Sequence, residues 1–335
     1  MISVAIVGVS GYTGLELIKL LIDHPKFELK YICASKEQKS ILDIHPSLKD
    51  IFEIEIKKAD AKEIAKVAKL VFLALPHKTA MDFAKKLLEY DIKVVDLSAD
   101  YRLDLKTYEK HYCNHVDQKN LQNAVYGLPE IYKEEIKKAN LIANPGCSAT
   151  VGILSLLPFV ELIDIDYPIF IDAKNGISGA GKKCTQNTHF VTINENSFAY
   201  NPLIHRHEPE ILEKLKMVKN VEFDINFVPH LIPATRGILA STYLRLKKEI
   251  DPLEHLKKFY KNEKFIRIFE KPVDLKSCVG TNFCDIFATN KGKNLYISSA
   301  IDNLLRGASS QAVVNANLMF GFSESLAIPT IPNIP

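Results

Sequence analysis

One cysteine stands at a position that could make it reactive. Cys147 follows the apolar run LIAN and a Pro-Gly turn, and the run SATVGILSLL after it has the pattern of a helix. A thiol at a helix N-terminus meets the positive end of the helix dipole and unpaired backbone N–H groups, which favour the thiolate. Those N–H groups can also stabilise an oxyanion that forms beside the sulfur. Cys147 is therefore a candidate nucleophile, whereas the other five cysteines are interpreted as structural thiols.

A nucleophilic cysteine needs a base or an imidazolium partner. The densest group of histidines lies in YNPLIHRHEPEI, where His205 and His207 flank Arg206 and a helix is expected to open at Glu208-Pro209. On an extended chain, alternate residues share a face, which would place the two imidazoles together and the guanidinium opposite. Spacing alone does not choose between the two histidines as the acid–base group.

Two further loops have the composition of an anion site. The segment 174–183, KNGISGAGKK, combines three glycines with Ser178 and Lys182, and backbone N–H groups together with an ammonium can hold a phosphate or carboxylate. The segment 229–239, PHLIPATRGIL, places Arg236 beside a turn. Either segment taken alone is equally compatible with an ordinary flexible loop.

A glycine pattern near the start of the chain is suited to phosphate. Gly8, Gly11 and Gly14 follow the apolar run SVAIV, and a helical pattern begins at Gly14. Such glycines allow a tight turn and let a pyrophosphate approach the backbone at the N-terminus of the following helix. The spacing is G-x-x-G-x-x-G rather than G-x-G-x-x-G, but its position between a first strand and a first helix favours dinucleotide binding over a plain turn.

The end of the second predicted strand bears on the choice of cofactor. Domains that prefer NAD usually place an acidic residue there, which binds the ribose 2′-hydroxyl. Here the strand is followed by Ser35 and Lys36, with Lys39 near by. These residues suit a 2′-phosphate, so NADP is favoured over NAD, although Glu37 also lies in this segment.

The first part of the chain alternates strands with helices. Short aliphatic runs ended by turn residues predict strands at 3–8, 28–34, 70–75, 93–98 and 141–145. Amphipathic patterns predict helices at 14–22, 60–68 and 79–89. This alternation predicts an α/β fold with a parallel, doubly wound sheet.

The pattern changes after about residue 160. Strands are predicted at 168–176, 221–229, 237–246 and 294–302 with fewer helices between them, which is typical of an α+β domain with a mixed sheet. A helical pattern returns at 305–322 and is expected to pack on the first domain. We therefore predict a Rossmann-type domain over residues 1–146, completed by the helix at about 305–322, and a second domain over residues 147–304.

Composition excludes several classes of protein. The chain has 335 residues, a formal net charge of +3 and 25% charged residues, so it lacks the basic excess of a nucleic-acid or membrane-surface protein. The six cysteines form no Cys-x-x-Cys pair and no zinc-like cluster. No uncharged run reaches the roughly 18–20 residues that span a bilayer. We expect a cytoplasmic protein without a metal, acting on small molecules.

Eight motifs together resemble one enzyme family. They are GVSGYTGLELIKLL, ALPH, DLSADYRL, YGLPEI, NPGCSAT, GISGAGKK, HRHEPEI and VPHLIPATRGILAS. In this combination, which runs in order from residue 6 to about 321, the chain is similar to the type 1 N-acetyl-gamma-glutamyl-phosphate reductases of arginine biosynthesis. Single motifs are shared with aspartate-semialdehyde dehydrogenase. This chain has Ser148 and Ala149 where relatives often have an aromatic residue and a proline.

The resemblance implies a fold, a reaction and a set of residue roles. The second domain would be a catalytic and dimerisation domain of the semialdehyde dehydrogenase type. The reaction would be the NADPH-dependent reduction of an acyl phosphate to an aldehyde with release of inorganic phosphate, through a thioester on Cys147. The resemblance selects His205 as the acid–base group, and a homodimer or homotetramer is expected.

Further positions are assigned to the two ligands. The cofactor is assigned to Gly8, Ser10, Gly11, Tyr12, Thr13, Gly14, Ser35, Lys36, Pro76, His77, Ser178, Gly179, Gln311 and Asn315. The substrate is assigned to Gly181, Lys182, Arg206, His207 and Arg236. Two alternatives stay open: a reductase acting on aspartyl phosphate or on a carrier-linked acyl phosphate of lysine biosynthesis, and a non-catalytic NADP-binding sensor with Cys147 as a redox switch.

Overall fold

The computed structural model describes residues 1–34 and 40–333 and divides the chain into two compact units. The first unit comprises Met1–Pro145 and Ala308–Ile328. The second unit comprises Gly146–Gly307 and the segment that begins at Pro329. The division falls between Pro145 and Gly146, so the candidate nucleophile Cys147 belongs to the second unit.

The first unit is built on a parallel sheet of seven strands. They are β1 (Ile2–Val7), β2 (Phe27–Cys33), β3 (Ile56–Lys57), β4 (Leu70–Leu73), β5 (Lys93–Asp96), β6 (Val125–Tyr126) and β7 (Leu141–Ala143). Their order in the sheet is β3-β2-β1-β4-β5-β7-β6. The order reverses direction between β1 and β4, which is the topological switch point of a doubly wound fold. The prediction of a parallel α/β sheet is confirmed, and the two strands that the sequence did not predict are two-residue edge strands.

The second unit has a mixed sheet of seven strands. They are β8 (Ile169–Gly176), β9 (Phe198–Ala199), β10 (Ile225–Ile232), β11 (Ile238–Arg245), β12 (Ile266–Ile268), β13 (Cys284–Lys291) and β14 (Asn294–Ile301). Their order is β12-β13-β14-β11-β8-β10-β9, with parallel pairs only at β8–β10 and β12–β13. Strands β10 and β11 alternate buried and partly exposed residues, so one face of the sheet forms the core. The α+β prediction is confirmed, although β10 begins four residues later than predicted.

Eleven α-helices accompany the sheets in the part of the chain that the structure describes. They are α1 (Tyr12–Ile22), α2 (Ala61–Val67), α3 (Thr79–Leu87), α4 (Leu105–His111), α5 (Gln118–Leu121), α6 (Pro129–Lys138), α7 (Cys147–Leu156), α8 (Phe190–Ile193), α9 (His207–Val218), α10 (Pro252–Phe259) and α11 (Ser309–Met319). None of them is long and apolar enough to cross a membrane.

Two helices are buried on all sides. In α11 every residue is buried, and the helix packs against α1 and α6 within the first unit. In α7 every residue after Cys147 is buried, and the helix packs against α9, β11 and β14 within the second unit. Both helices are rich in small and apolar side chains around their whole circumference, which is typical of helices inside a core. Helix α7 therefore holds its N-terminus, with Cys147, in a fixed position.

The turn after β1 depends on a glycine without a side chain. Gly8 has a φ of +104°, and a Cβ there would lie 2.2 Å from the carbonyl oxygen of Ala74. Any other residue would combine an unfavourable backbone conformation with a clash against the backbone. Gly11, in contrast, has a φ of −83°, and a Cβ there would meet no atom nearer than 4.0 Å.

We expect Gly8→Ala to lower the free energy of unfolding by about 2–4 kcal/mol, because backbone strain and overpacking add together. Urea denaturation followed by circular dichroism measures the loss. Gly11→Ala is the matched control, and it should cost less than about 1 kcal/mol. Equal losses in the two variants would contradict the reason given for Gly8.

Candidate active site

Cys147 is the first residue of α7 in the second unit. Gly146 precedes it as the N-cap residue with extended backbone angles, and the cysteine is partly exposed while the rest of the helix is buried. The first backbone N–H groups of a helix have no partner within the helix. The thiol therefore lies at the positive end of a buried helix, as the sequence predicted, with the helix beginning one residue earlier than expected.

A buried carboxylate fixes the turn that carries Cys147. The backbone N–H of Gly146 donates a hydrogen bond of 2.8 Å to Oε1 of Glu210, which lies in the first turn of α9 and is almost fully buried. This bond joins the start of the nucleophile helix to the start of the histidine helix. Sequence reasoning missed Glu210, because the motif HEPEI identified the segment and not the direction in which each side chain points.

The two histidines lie together. Their ring centroids are 4.8 Å apart, and the backbone N–H of His207 donates to Nδ1 of His205 over 3.2 Å. Because Nδ1 accepts this bond, the neutral His205 ring carries its proton on Nε2 and is a donor there. The expected extended geometry is wrong at this point: Arg206 has helical backbone angles and is exposed, and His207 is the first residue of α9.

The electrostatic environment keeps His205 neutral. Burial is the largest cause that lowers the pKa of His205, and the neighbouring His207 and Arg206 act in the same direction, so that the pKa falls from 6.5 to about 3. The carboxylate of Glu210 opposes the shift but does not outweigh it. The site therefore holds an uncharged imidazole at neutral pH rather than an imidazolium.

Tyr200 connects the sulfur with the histidine. Its ring centroid lies 5.6 Å from that of His205, and its hydroxyl accepts a 3.3 Å hydrogen bond from Nδ2 of the buried Asn175. Burial raises the pKa of Tyr200, and the nearby Cys147 raises it further, so the phenol stays protonated. The hydroxyl of Ser148 donates to Oδ1 of the same Asn175 over 3.4 Å. Ser148 thus adds a polar contact to the network that includes Tyr200 and Asn175.

A glycine brings another turn against the nucleophile. A Cβ on Gly307 would lie 2.6 Å from Cβ of Cys147 and 2.7 Å from the carbonyl oxygen of Asn303. Only a residue without a side chain lets the turn after β14 approach the cysteine this closely. The sequence carries no local signal of this contact, because Cys147 and Gly307 are 160 residues apart in sequence and meet only in the folded unit.

The glycine loop after β8 is pinned along one side. The N–H groups of Ile177 and Ser178 donate to the carbonyls of Ala234 and Thr235, at 2.8 and 3.0 Å. Gly179, Gly181 and Lys182 continue the loop, and all three are exposed. A Cβ on Gly181 would meet nothing within 4 Å. The loop therefore has a fixed base and an open edge.

Arg236 forms an ion pair with Asp302 inside the second unit. Its Nη2 lies 3.0 Å from both carboxylate oxygens of Asp302, which is fully buried. The charge of this guanidinium is therefore largely balanced within the second unit. Lys182 and Arg206, the two other predicted substrate cations, are both exposed.

The glycine turn of the first unit has room for a phosphate. Gly14 is packed against the backbone of Gly8 and Val9, whereas the space beside Gly11, at the N-cap of α1, is open. Ser10 lies in the same turn, and Tyr12 and Thr13 are the first two residues of α1. Nε2 of the buried His45 donates to the carbonyl of Val9 over 2.7 Å and so holds the turn. These residues fit a dinucleotide whose pyrophosphate lies at the helix N-terminus.

The remaining predicted cofactor positions differ in exposure. Pro76 is exposed after β4, and the ring of His77 packs edge-on against Tyr112 at 5.4 Å. Gln311 and Asn315 are fully buried, and both side-chain amides donate to the carbonyl of Gly127. Two further positions, Ser35 and Lys36, lie outside the described residues.

The burial of His205 predicts a dependence of stability on pH. The unfolded chain binds a proton on this histidine near pH 6.5, and the folded protein binds it only near pH 3. The contribution of the buried neutral ring is complete above pH 6.5 and is lost as the pH falls towards 3. Urea denaturation between pH 7 and 4.5 should therefore show a smaller loss of stability in His205→Gln than in the wild type.

The exposed His189 provides the control for that measurement. His189→Gln should follow the wild-type dependence of stability on pH. If His205→Gln also follows it, the folded protein does not hold His205 in its neutral form.

Two family models match the chain and correspond to the two units. Residues 3–139 match the model described as semialdehyde dehydrogenase, NAD binding domain. Residues 147–303 match the model described as semialdehyde dehydrogenase, dimerisation domain. Together they cover most of the chain, including the glycine turn, Cys147 and both histidines.

Known proteins are similar in sequence to this chain over its whole length. The N-acetyl-gamma-glutamyl-phosphate reductase of Sulfurovum sp. is 58% identical over 335 residues, which is 100% of both chains. That of Sulfurimonas denitrificans is 55% identical and covers 100% of this chain and 99% of its own. The solved structure of aspartate semialdehyde dehydrogenase II from Vibrio cholerae has the same fold, with a TM-score of 0.74 at 18% identity over 96% of this chain and 98% of its own. The chain belongs to the N-acetyl-gamma-glutamyl-phosphate reductase family.

Proposed function

We propose that the protein reduces N-acetyl-L-glutamyl 5-phosphate to N-acetyl-L-glutamate 5-semialdehyde, with NADPH as the reductant and phosphate as the second product. The observation that carries this proposal is Cys147 at the N-terminus of a buried helix, near a protonated Tyr200 whose ring packs against the neutral His205. The full-length relatives named for this reaction support the choice of substrate. The product belongs to arginine biosynthesis.

The reaction divides into two transfers at one carbon. The sulfur of Cys147 attacks the acyl carbon, the bond from that carbon to the phosphate oxygen breaks, and a thioester remains. A nicotinamide cofactor, when bound, would supply the hydride that reduces the thioester carbon. The oxyanion of the resulting thiohemiacetal then re-forms a carbonyl as the carbon–sulfur bond breaks, which gives the aldehyde and returns the sulfur as the thiolate. A thioester suits this sequence because it keeps the carbon electrophilic after phosphate has left.

His205 is the proposed acid–base group. It begins as a neutral ring with its proton on Nε2, so it can donate a hydrogen bond to a substrate oxygen on which negative charge develops. The N–H of His207 against Nδ1 opposes protonation at that atom, in agreement with the low pKa. His207 and the exposed Arg206, with Gly181 and Lys182 on the open loop, are proposed to contact the substrate. Arg236 is proposed to reach the substrate only as part of its ion pair with Asp302.

NADP is the proposed cofactor. The open space at Gly11 supports a bound pyrophosphate. The residues Ser35 and Lys36 are not acidic, which supports a cofactor with a 2′-phosphate. Pro76 and His77 follow β4 on the carboxyl side of the first sheet, where such folds bind nucleotides. Ser178 and Gly179 are proposed to border the nicotinamide. Gln311 and Asn315 are proposed to act on its carboxamide through the buried network at Gly127.

The reverse reaction gives the most direct test of the function. Reduction of NADP should depend on arsenate or phosphate and should be much faster with N-acetylglutamate semialdehyde than with aspartate semialdehyde.

Cys147→Ser should abolish turnover, because a serine hydroxyl is not ionised near neutral pH. His205→Asn should reduce kcat by roughly a hundredfold or more, the usual scale of acid–base catalysis.

Other outcomes of that assay would select another function. Preference for aspartate semialdehyde would favour an aspartyl-phosphate reductase, and turnover only with a carrier-linked semialdehyde would favour the enzyme of lysine biosynthesis. An inert wild-type protein that still binds NADP would favour a redox sensor. A larger loss in His207→Asn than in His205→Asn would transfer the acid–base role to His207. Cys184→Ser, at an exposed cysteine, is the control for Cys147.

The outer face of the second sheet supports self-association. Phe170 and Tyr243 are each about half exposed on neighbouring strands, and the ring of Tyr296 lies 5.2 Å from that of Tyr243. With Tyr167 and Arg245 they line a groove of about 480 Å³. An exposed aromatic patch of this kind marks an interaction surface. We propose that a second copy of the chain covers it, in a homodimer or in a homotetramer built from such dimers.

The proposed interface predicts an effect of charge. Phe170→Glu combined with Tyr243→Glu should convert the wild-type oligomer into a folded monomer, because two carboxylates would be buried without partners. Light scattering after size-exclusion chromatography measures the mass. Val191→Glu, at an exposed position on α8, is the control and should leave the mass unchanged. An unchanged oligomer in the double variant would exclude this face.

The state of the cysteines supports a cytoplasmic location. The six cysteines all lie among the described residues and form no disulfide there, and a reducing compartment keeps thiols in that state. The proposed chemistry also requires a reduced Cys147. No nucleic-acid or membrane partner is proposed.

A further inference from the structure

The turn after β14 is held by a dense set of hydrogen bonds. The buried carboxylate of Asp302 accepts from the backbone N–H groups of Gly280, Leu304 and Leu305, at 2.8, 2.8 and 3.0 Å, in addition to its ion pair with Arg236. Such a carboxylate has little freedom to move. Its neighbour in sequence, Asn303, therefore projects its side chain from a rigid base.

The amide of Asn303 is oriented by its partners. Oδ1 of Asn303 accepts a short hydrogen bond of 2.7 Å from the backbone N–H of Gly237. This donor requires an oxygen at that position, so the amide nitrogen must be on the other side. Nδ2 then lies 3.0 Å from the hydroxyl oxygen of Ser178, whereas Oδ1 lies 3.4 Å from it. Since Nδ2 can only donate, Ser178 is the acceptor in the shorter contact.

A serine hydroxyl that accepts in this way directs its own proton elsewhere. Ser178 is partly exposed at the base of the open glycine loop, while Asn303 is almost fully buried. The backbone of Asn303 and Cβ of Cys147 both adjoin the position that a side chain on Gly307 would occupy. The oriented hydroxyl therefore belongs to the same group of turns as the nucleophile, within the second unit.

We propose that Asn303 is a positioning residue, which turns the hydroxyl of Ser178 so that it donates to the acyl oxygen when sulfur adds to the substrate carbon. This role rests on the proposed function. The acyl oxygen becomes negative as the carbon–sulfur bond forms, and a donor held in advance stabilises that charge without reorganisation. In this role Asn303 acts on the reaction through the hydroxyl of Ser178.

Asn303→Asp is the sharpest test, because the side chain keeps its shape. A carboxylate still accepts from Gly237, but it has no donor for Ser178 and so draws the serine proton towards itself. Asn303→Asp and Ser178→Ala should each lower kcat by about a hundredfold, the scale of losing one such donor. The double variant should lose no more than either single variant, since both changes remove the same hydrogen bond.

A readout that needs no cofactor separates this proposal from the proposed function. Acylation of Cys147 by p-nitrophenyl acetate also passes through an oxyanion, and its rate should fall in the same two variants. Turnover of N-acetylglutamate semialdehyde by the wild type decides the proposed function without any substitution. The acylation rates of the variants, relative to the wild type, decide the role of Asn303.

Asn290→Asp is the matched control. Asn290 lies at the end of the β13–β14 hairpin that is far from residue 302. A strand with the eight residues of β14 is roughly 25 Å long, and this length separates the two positions. It should keep wild-type rates. Thermal unfolding of each variant establishes that the second unit remains folded. Normal acylation in a folded Asn303→Asp, or losses that add in the double variant, would overturn the proposal.

Discussion

The hydrogen bond from the N–H of Gly146 to Glu210 is the interaction on which the candidate site depends. Gly146 is the N-cap of the helix that begins with Cys147, and Glu210 lies in the first turn of the helix that begins with His207. One buried contact therefore sets the register between the nucleophile and the histidine segment. Without it, an N–H at a buried helix end and a buried carboxylate would both lose a partner, and each loss costs free energy. The same carboxylate lies near His205, where it partly offsets the effects of burial and of Arg206.

The neutrality of His205 decides how the thiol can be activated. In many cysteine enzymes an imidazolium stabilises the thiolate, but burial removes that option here at neutral pH. Stabilisation of the sulfur must then come from the N-terminus of α7 and from donors such as the phenol of Tyr200, which remains protonated. These groups are dipoles with fixed positions, so they stabilise the charge without introducing a second charge that would need a counterion. A site of this kind gains from being dry and rigid, and the fully buried body of α7 supplies that rigidity.

The sequence was sufficient for the elements whose signal is local. The five central strands of the first sheet are aliphatic runs that end at turn residues, and a parallel sheet buries such runs on both faces. The two-residue strands β3 and β6 carry no periodicity and could not be predicted. Cys147 could be identified because proline, glycine and the start of a helix are all adjacent in sequence. The extended geometry expected at Arg206 was wrong. Helix α9 begins at the next residue, His207, and Arg206 already has helical backbone angles.

The polar contacts around the cysteine could not be predicted, because they join distant parts of the chain. Glu210 meets Gly146 across 64 residues, and Asn303 meets Ser178 across 125. The arginine at 236 illustrates the consequence. Its type and its place beside a turn indicate an anion site, yet the fully buried Asp302 lies within 3.0 Å and balances its charge. A count of basic residues in the sequence therefore overestimates how many positive charges can bind a substrate. The side chains that can bind it are those whose partners within the protein leave a hydrogen atom or a charge directed outward. By that criterion Ser178 contributes a donor through Asn303, although nothing in its own neighbourhood in the sequence distinguishes it from any serine in a glycine loop.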